Sequence, residues 1–153
     1  TNFSKALVKM IRNKDYYPII NGTKITDRKK LIEDILYIGV GNLERIKEYS
    51  ILIQQEKNDL SINAYNKKRE IENKSHKDYI MESYDNPNQL HRLEVRINSD
   101  AMKDFFTREH IEYNPAMFIN DDWLWLFFLN FMNRVIRFQS IKGRKVYGVM
   151  DLI

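Results

Sequence analysis

The sequence predicts an α+β fold, a mostly antiparallel sheet of about five or six strands with helices packed on one face. Residues 60–65 and 91–97 alternate strictly between apolar and polar side chains, which is the pattern of a strand with one buried face. The dipeptide Asn21-Gly22 stands between two short strand-like runs and favours a tight hairpin. Residues 3–12 carry apolar side chains at helical spacing, which predicts an amphipathic helix.

The remaining elements follow from caps, turns and periodicity. Thr26 or Asp27 can cap a helix over 28–34, Ser75 can cap a helix over 76–83, and Ser99 or Asp100 begins a helix that runs to about residue 110. The predicted strands, in chain order, are 16–20, 24–25, 35–40, 49–55, 60–65, 89–97 and an edge strand within 145–152. Strands 49–55 and 60–65 are expected to form a hairpin.

The last third of the chain is strongly aromatic. Asp121-Asp122 opens a predicted helix from Trp123 to about Phe138. Because its first three turns are apolar nearly all round, we expect a core helix that is buried on most sides behind the sheet. The alternative is a dimer contact or a base-stacking surface formed by the exposed part of four aromatic side chains, which are Trp123, Trp125, Phe127 and Phe128.

Composition narrows the class of protein. The chain has 153 residues and no cysteine, so it suits one domain, or the C-terminal segment of a larger one. The absence of cysteine excludes disulfides, thiolate metal sites and cysteine nucleophiles, and it agrees with a cytoplasmic location. No apolar run reaches the length of about 20 residues that spans a bilayer, so no membrane partner is predicted.

Positive charge is clustered along the chain. The formal net charge of +4 and the pI near 9.2 permit nucleic-acid binding without requiring it. Each cluster can neutralise phosphates, and binding of that kind weakens steeply as salt rises. The three clusters are Lys24, Arg28, Lys29 and Lys30; Lys67, Lys68, Arg69 and Lys74; and Arg134, Arg137, Lys142, Arg144 and Lys145.

The most informative residues lie in two runs, Tyr65 to Glu70 and Arg92 to Arg96. Together they provide a tyrosine hydroxyl, several cations and two carboxylates at the ends of two predicted strands. A phenol with its ordinary pKa of about 10 is a poor nucleophile at neutral pH, but a metal ion or nearby cations can stabilise the phenolate. If the two strands pair in one antiparallel sheet, Tyr65 and Glu94 lie near each other and Glu70 lies just beyond the strand end.

A structural interpretation of the same residues remains open. Tyrosine is common in strands for its packing alone, and the polar run after Tyr65 also fits a solvated strand end. Glu94 between Arg92 and Arg96 also fits a cross-strand ladder of ion pairs.

The two runs, in this order and spacing, resemble the C-terminal part of the nuclease domain of rolling-circle plasmid replication initiators, the replication initiation factor family. Filamentous-phage replication proteins are related to that family. Upstream, residues 36–41 are similar to the aromatic-glycine strand that precedes the family's nicking motif. The resemblance covers roughly residues 35–105, and residues 114–153 add the aromatic helix and the edge strand.

The resemblance implies a metal-dependent endonuclease that nicks and rejoins a single-stranded or extruded DNA origin through a 5′-phosphotyrosine. It implies Tyr65 as the nucleophile, Lys67 and Arg92 as groups that stabilise charge on phosphorus, and Glu70 and Glu94 as ligands of a divalent ion, Mg²⁺ or Mn²⁺. A homodimer and host replication proteins are further partners compatible with this function. The cations expected to contact DNA are Lys68, Arg69, Lys74 and Arg96.

The chain also departs from the family. Asn63 occupies a position that is usually arginine, and no Asp-x-Ala-x-Asp strand precedes the motif. The missing strand favours a fragment of a longer nuclease domain. Whether an acidic metal-binding strand lies upstream of Thr1 stays open at this point. Two other functions remain open: a DNA-binding module that recognises an origin or operator without chemistry, and an assembly protein that associates through its Trp-rich helix.

Overall fold

A computed structural model describes residues 3–27, 51–54 and 60–152. The helix expected over 28–34, the strand expected over 35–40 and three cations of the first basic cluster lie outside these ranges. The described strands are β1 Tyr16–Ile20, β2 Thr23–Lys24, β3 Ile51–Gln54, β4 Leu60–Asn66, β5 His91–Ile97, β6 Ile136–Ser140 and β7 Val146–Gly148. The α-helices are α1 Phe3–Arg12, α2 Lys67–Glu70, α3 Asp78–Ser83, α4 Ser99–Glu109 and α5 Asp121–Val135.

The α+β prediction is confirmed, and every described strand pairing is antiparallel. The described strands divide between two sheets, with the order β2-β1-β6-β7 in one and β3-β4-β5 in the other. The second sheet contains the predicted hairpin partner β3 and both strands that carry the tyrosine and carboxylate runs. All candidate site residues therefore belong to, or directly follow, one three-stranded sheet.

The hairpin between β1 and β2 is also confirmed. Asn21 and Gly22 both have positive φ values, 50° and 82°. Two successive left-handed residues make a type I′ turn, whose twist matches that of paired strands. Asn and Gly adopt this conformation at lower cost than other residues, so the dipeptide explains the turn locally.

The core lies between helices and the apolar faces of the two sheets. Helices α1 and α5 both contact strands of each sheet. Leu60, Ile62 and Ala64 are fully buried on one face of β4, and Leu7 of α1 and Phe131 of α5 are fully buried too. Because alternate residues of a strand point to opposite faces, this burial turns the polar residues of β4 away from the core.

Helix α5 is shorter and more exposed than its composition predicts. It ends at Val135 rather than near Phe138, and the next residues form β6, which pairs with β1. In β6, Ile136 and Phe138 are buried and Arg137 is exposed. The pattern of buried side chains therefore changes at this point from the helical period to the two-residue period of a strand. None of the helices in the described ranges is long and apolar enough to cross a membrane.

The prediction that α5 is buried on most sides is wrong. Phe127 and Phe131 face the core, but Trp125 is 52% exposed and stacks on Phe128 at a centroid distance of 5.3 Å. A helix that packs against sheets on one side leaves its other side in solvent, whatever its composition. Of the aromatic side chains considered for a contact surface, Phe127 is therefore unavailable and Trp125 is accessible.

The segment after β4 also differs from expectation. The predicted Ser75 cap is wrong, because Ser75 ends a π-helical turn, Ile71–Ser75, that continues directly from α2. Helix α3 begins later, at Asp78. The polar run after Tyr65 is thus helical from its second residue, because Asn66 caps it.

The burial of α5 predicts a contrast between two aromatic residues on one helix. Phe131→Ala should lower the free energy of unfolding by about 3–5 kcal/mol, because it leaves a cavity among fully buried side chains. Trp125→Ala should cost about 1 kcal/mol or less, because that ring is half exposed and loses mainly one stacking contact. Urea unfolding followed by circular dichroism measures both. Equal losses for the two variants would contradict this packing of α5.

Candidate active site

The site is built on the pairing of β4 with β5. In this register Tyr65 lies opposite Arg92, and Asn63 lies opposite Glu94. All four residues share the face of the sheet that points away from Leu60, Ile62 and Ala64. The expected antiparallel pairing of the two polar faces is confirmed.

A hydrogen bond joins the tyrosine to one of the two carboxylates. Tyr65 Oη donates to Glu94 Oε1 at 2.9 Å, reaching diagonally across the strand pair. Tyr65 is half-buried and Glu94 is partly buried, so the bond lies at the surface of the sheet and outside the core. The expected proximity of Tyr65 and Glu94 is confirmed, whereas the chemical roles of the two residues are not tested by it.

Two guanidinium groups flank the same carboxylate. Arg92 Nη1 lies 3.5 Å from Glu94 Oε1, and Arg96 Nη2 lies 3.1 Å from Oε2. Arg92 and Arg96 have side chains 39% and 64% exposed, and ion pairs at that exposure contribute only about 0–1 kcal/mol each to stability. Ion pairs of Glu94 with both arginines are therefore present, but they run along β5 and do not cross between strands as the sequence interpretation had it. They flank the carboxylate that accepts the hydrogen bond from Tyr65.

The second carboxylate of the site, Glu70, lies on α2. Asn66 accepts a hydrogen bond from the backbone N–H of Arg69 at 3.0 Å and starts the helix immediately after β4. Residues three apart on a helix are neighbours, so Lys67 Nζ forms an ion pair with Glu70. Glu70 therefore lies just past the strand end, as predicted, but it contacts Lys67 rather than Tyr65.

Lys67 lies between the Tyr65 ring and the Glu70 carboxylate and contacts both. It is only 6% exposed, and its ammonium group lies 5.9 Å from the centroid of the Tyr65 ring. Its backbone N–H donates to the carbonyl of Leu90 at 2.8 Å, which ties the start of α2 to the segment before β5. A buried ammonium group needs a partner, and Glu70 provides one.

The cations expected to bind DNA divide into two places. Arg96 lies beside Glu94, while Lys68 and Arg69 lie on α2 and Lys74 lies on the π-helical turn. Lys68 also directs its ammonium group towards the carbonyl oxygens of Pro87 and Asn88, at 3.5 Å each. The third basic cluster lies on or beside β6 and β7, in the other sheet, and is not part of this site.

Sequence reasoning missed two positioning residues, Asn66 and Leu90. Asn66 is the N-cap that makes the polar run helical, and an Asn followed by good helix formers is the signal that could have revealed it. The carbonyl of Leu90 accepts a hydrogen bond from the start of α2 and holds that helix in place. The sequence cannot reveal this role, because every residue has a backbone carbonyl group.

The surroundings raise the pKa of Tyr65 and lower the pKa values of Glu94 and Glu70. Burial, together with the hydrogen bond to Glu94 and its negative charge, raises the pKa of Tyr65, although Lys67 and Arg92 oppose this. Burial would raise the pKa of Glu94, but the hydrogen bonds from Tyr65 and Arg96 and the charges of both arginines outweigh it and lower that pKa. The ion pair with Lys67 lowers the pKa of Glu70. At neutral pH the phenol is therefore a proton donor and both carboxylates are ionised.

These residues fit a metal centre only in part. Glu70 and Glu94 are oxygen donors of the type that Mg²⁺ prefers. Each is already paired with cations, however, and the described parts of the chain contain no group of three or more His, Cys, Asp or Glu side chains placed to hold a metal ion. A divalent ion would have to replace existing ion pairs.

Comparisons of the chain with protein-family models, curated proteins and solved structures find no match.

The lowered pKa of Glu94 predicts a pH-dependent loss of stability. Its ionised form is favoured in the folded protein, so this stabilisation is present above its ordinary pKa of 4.5 and disappears as the pH falls through the lower folded value. The difference in unfolding free energy between the wild type and Glu94→Gln should therefore shift towards the variant as the pH falls from 7 to below 4.5. Urea unfolding at a series of pH values measures it, and a difference that does not change with pH would contradict the shift.

Proposed function

We propose that the protein is a replication-initiation endonuclease, or the C-terminal nuclease segment of one, that nicks and rejoins plasmid or phage-like DNA through a covalent 5′-phosphotyrosine. One observation carries the proposal: the Tyr65 hydroxyl is hydrogen-bonded to Glu94 within a group of three cations, Lys67, Arg92 and Arg96. A nucleophile within hydrogen-bond distance of a base is the usual arrangement for covalent catalysis.

The charge around Tyr65 suits a phosphodiester. Lys67 lies beside the ring, and Arg92 lies directly opposite Tyr65 on the neighbouring strand. Cations held at these positions would stabilise the negative charge that develops on the phosphoryl oxygens during attack. In this proposal Lys68, Arg69, Lys74 and Arg96 contact the flanking phosphates, which positions the strand without reading its sequence.

The proposed reaction exchanges one phosphodiester for another. The Tyr65 oxygen forms a bond to phosphorus, and the bond from phosphorus to the 3′-oxygen breaks. The 5′ side of the nick stays on the protein as a phosphotyrosine. The phenol releases its proton to water, and the departing 3′-oxygen takes a proton from water and becomes a free 3′-OH for a polymerase. Because the bond energy is conserved in the adduct, the reverse attack by a 3′-OH rejoins the strand.

A divalent ion, Mg²⁺ or Mn²⁺, is part of the proposal. Glu70 and Glu94 would supply its protein oxygen ligands, and substrate phosphate and water would supply others. The ion would contribute charge neutralisation at phosphorus.

Replacing the nucleophile tests the proposal directly. Wild-type protein incubated with 3′-labelled, random-sequence single-stranded DNA and Mn²⁺ should retain label on a denaturing gel, because the covalent link joins the protein to the labelled fragment. Tyr65→Phe should abolish this adduct, since a phenyl ring has no oxygen to attack phosphorus. Tyr79→Phe is the matched control, because Tyr79 is an exposed tyrosine on α3 outside the site.

The same gel also tests the metal. A chelator added before the DNA should prevent formation of the adduct, and excess Mg²⁺ or Mn²⁺ should restore it. Absence of any adduct from the wild type, or an unchanged adduct in Tyr65→Phe, would contradict the proposed nuclease.

A second candidate function is a DNA-binding module without chemistry. The ion pairs of Glu94 with Arg92 and Arg96 favour it, because they give these residues a structural role. This candidate predicts salt-sensitive DNA binding with neither an adduct nor metal dependence. The gel therefore separates the two functions.

Both candidate functions predict that DNA runs along α2. Removing one positive charge from that helix tests this path. Lys68→Gln should weaken binding to single-stranded DNA and reduce the slope of log K against log salt by about 0.7, the value for one lost phosphate contact. Lys103→Gln is the matched control, because Lys103 is an exposed cation on α4. Fluorescence anisotropy over a range of salt concentrations measures both variants. Equal slopes for Lys68→Gln and the wild type would contradict a DNA path along α2.

A further inference from the structure

We propose that the outward face of the sheet β2-β1-β6-β7, together with the loop between β6 and β7, is a second nucleic-acid-binding surface that holds the phosphate backbone of duplex DNA. This surface is independent of the proposed nuclease, because it lies on the other sheet and uses no residue of the candidate active site. We call it the basic sheet. Its cations are Lys24, Arg137, Lys142, Arg144 and Lys145.

The net positive charge of the chain is concentrated on the basic sheet. Residues 16–24 and 136–148, which form its four strands and their two hairpin turns, contain five Lys and Arg residues and no Asp or Glu. The whole chain has 25 Lys and Arg residues against 21 Asp and Glu residues, a formal net charge of +4. The rest of the chain is therefore close to neutral. A surface on which one sign of charge is concentrated in this way attracts a polyanion.

Strand alternation places two of the cations on the outward face. Ile136 and Phe138 of β6 are fully buried, so Arg137 between them points away from the core. Arg137 lies opposite Ile19 of β1, and Ile19 lies opposite Lys24 of β2. Lys24 and Arg137 are both exposed, and their backbones are about 10 Å apart because one strand lies between them. Within that distance duplex DNA presents several phosphates, since it carries one charge per about 1.7 Å.

The other three cations belong to the loop between β6 and β7. Lys142, Arg144 and Lys145 are all exposed. The N–H group of Ile141 donates to the backbone carbonyl of Asp15 at 2.9 Å, which ties the start of this loop to the residue before β1. The loop cations are therefore held beside the sheet and extend its positive surface. A two-stranded hairpin also has the width that the major groove of duplex DNA admits.

Two tyrosine rings position cations of the basic sheet. Lys24 Nζ lies 4.6 Å from the centroid of the Tyr17 ring, and Lys145 Nζ lies 4.9 Å from that of Tyr147. Contact with a ring face orients an ammonium group without neutralising its charge. In the described parts of the chain, none of the five cations is paired with a carboxylate. Binding a phosphate here therefore breaks no ion pair, in contrast to the candidate active site.

The same ring contacts favour duplex DNA over a single strand. Single strands are bound without sequence preference mainly through bases that stack on open aromatic faces. Here an ammonium group covers one face of Tyr17 and one face of Tyr147, and the Tyr147 ring also meets Tyr16 edge to face. The surface thus offers cations to its ligand. Contacts to phosphates are sufficient for binding to duplex DNA without sequence preference.

An anionic lipid surface is the main alternative, because it also presents many negative charges. Peripheral attachment to a bilayer adds a continuous apolar face that enters the lipid. The exposed apolar residues beside the loop cations are Ile141 and Val146, which stand at the two ends of the loop with the cations between them. This arrangement favours the phosphates of DNA, and lipid vesicles provide the comparison.

Removing two positive charges tests the surface. Lys24→Gln/Arg137→Gln should weaken binding to random-sequence duplex DNA and reduce the slope of log K against log salt by about 1.8, which is about 0.9 for each of two lost phosphate contacts. The matched control is Lys9→Gln/Lys103→Gln, which removes two exposed cations from α1 and α4 and should keep the wild-type slope. Fluorescence anisotropy over a range of salt concentrations measures the slopes, and circular dichroism checks that each variant is folded.

The outcomes are distinct from those of the nuclease experiment. Equal slopes for the two double variants would overturn the basic sheet as a DNA-binding surface. A loss confined to single-stranded DNA, or to vesicles of phosphatidylcholine and phosphatidylserine, would overturn duplex DNA as its ligand. Tyr65→Phe should bind the duplex as the wild type does. Duplex binding that depends on Lys24 and Arg137, in a protein that forms no covalent adduct, would contradict the nuclease alone.

Lysine footprinting locates the duplex on the wild-type protein. Acetylation followed by mass spectrometry should be slower at Lys24, Lys142 and Lys145 when duplex DNA is bound, because phosphates then cover their ammonium groups. The rate at Lys103 should stay the same. Protection of Lys68 without protection of the three lysines of the basic sheet would place duplex DNA along α2 and would overturn the proposal.

Discussion

The pairing register of β4 on β5 is the constraint on which the candidate site depends. It places Tyr65 opposite Arg92 and one diagonal step from Glu94. A shift by one residue would turn Tyr65 to the opposite face and bury it among apolar side chains. The register is held because Leu60, Ile62 and Ala64 fill the core beneath the strand. Hydrophobic packing on one face thus determines the chemistry available on the other.

The site combines three cations with two carboxylates in one connected set of contacts. Glu70 pairs with Lys67, Lys67 lies beside the Tyr65 ring, and Tyr65 donates to Glu94. Arg92 and Arg96 complete the set from β5. A set with an excess of positive charge and two exposed guanidinium groups can accept an anion with limited rearrangement. This property, rather than any single residue, supports the proposal of a phosphodiester substrate.

Much of the fold follows from short-range patterns. Helix α1 and the Asn21-Gly22 turn need only helical spacing and two residues that tolerate positive φ. The end of α5 was predicted less well, because the last predicted turn pairs with β1 as the strand β6. That pairing joins segments more than a hundred residues apart, and no local pattern reveals it. The exposure of Trp125 has the same origin, since only the packing of α5 decides which of its apolar sides is covered.

Residue types and their order are enough to predict the α+β class, the alternation of β4 and β5, and a tyrosine and two glutamates near adjacent strand ends. These features depend on residue type and period, which are local properties. The folded chain adds that Glu94 receives the hydrogen bond of Tyr65 while Glu70 is held by Lys67. That difference depends on the strand register and on the anchoring of α2 by the Leu90 carbonyl, contacts between residues that are distant along the chain.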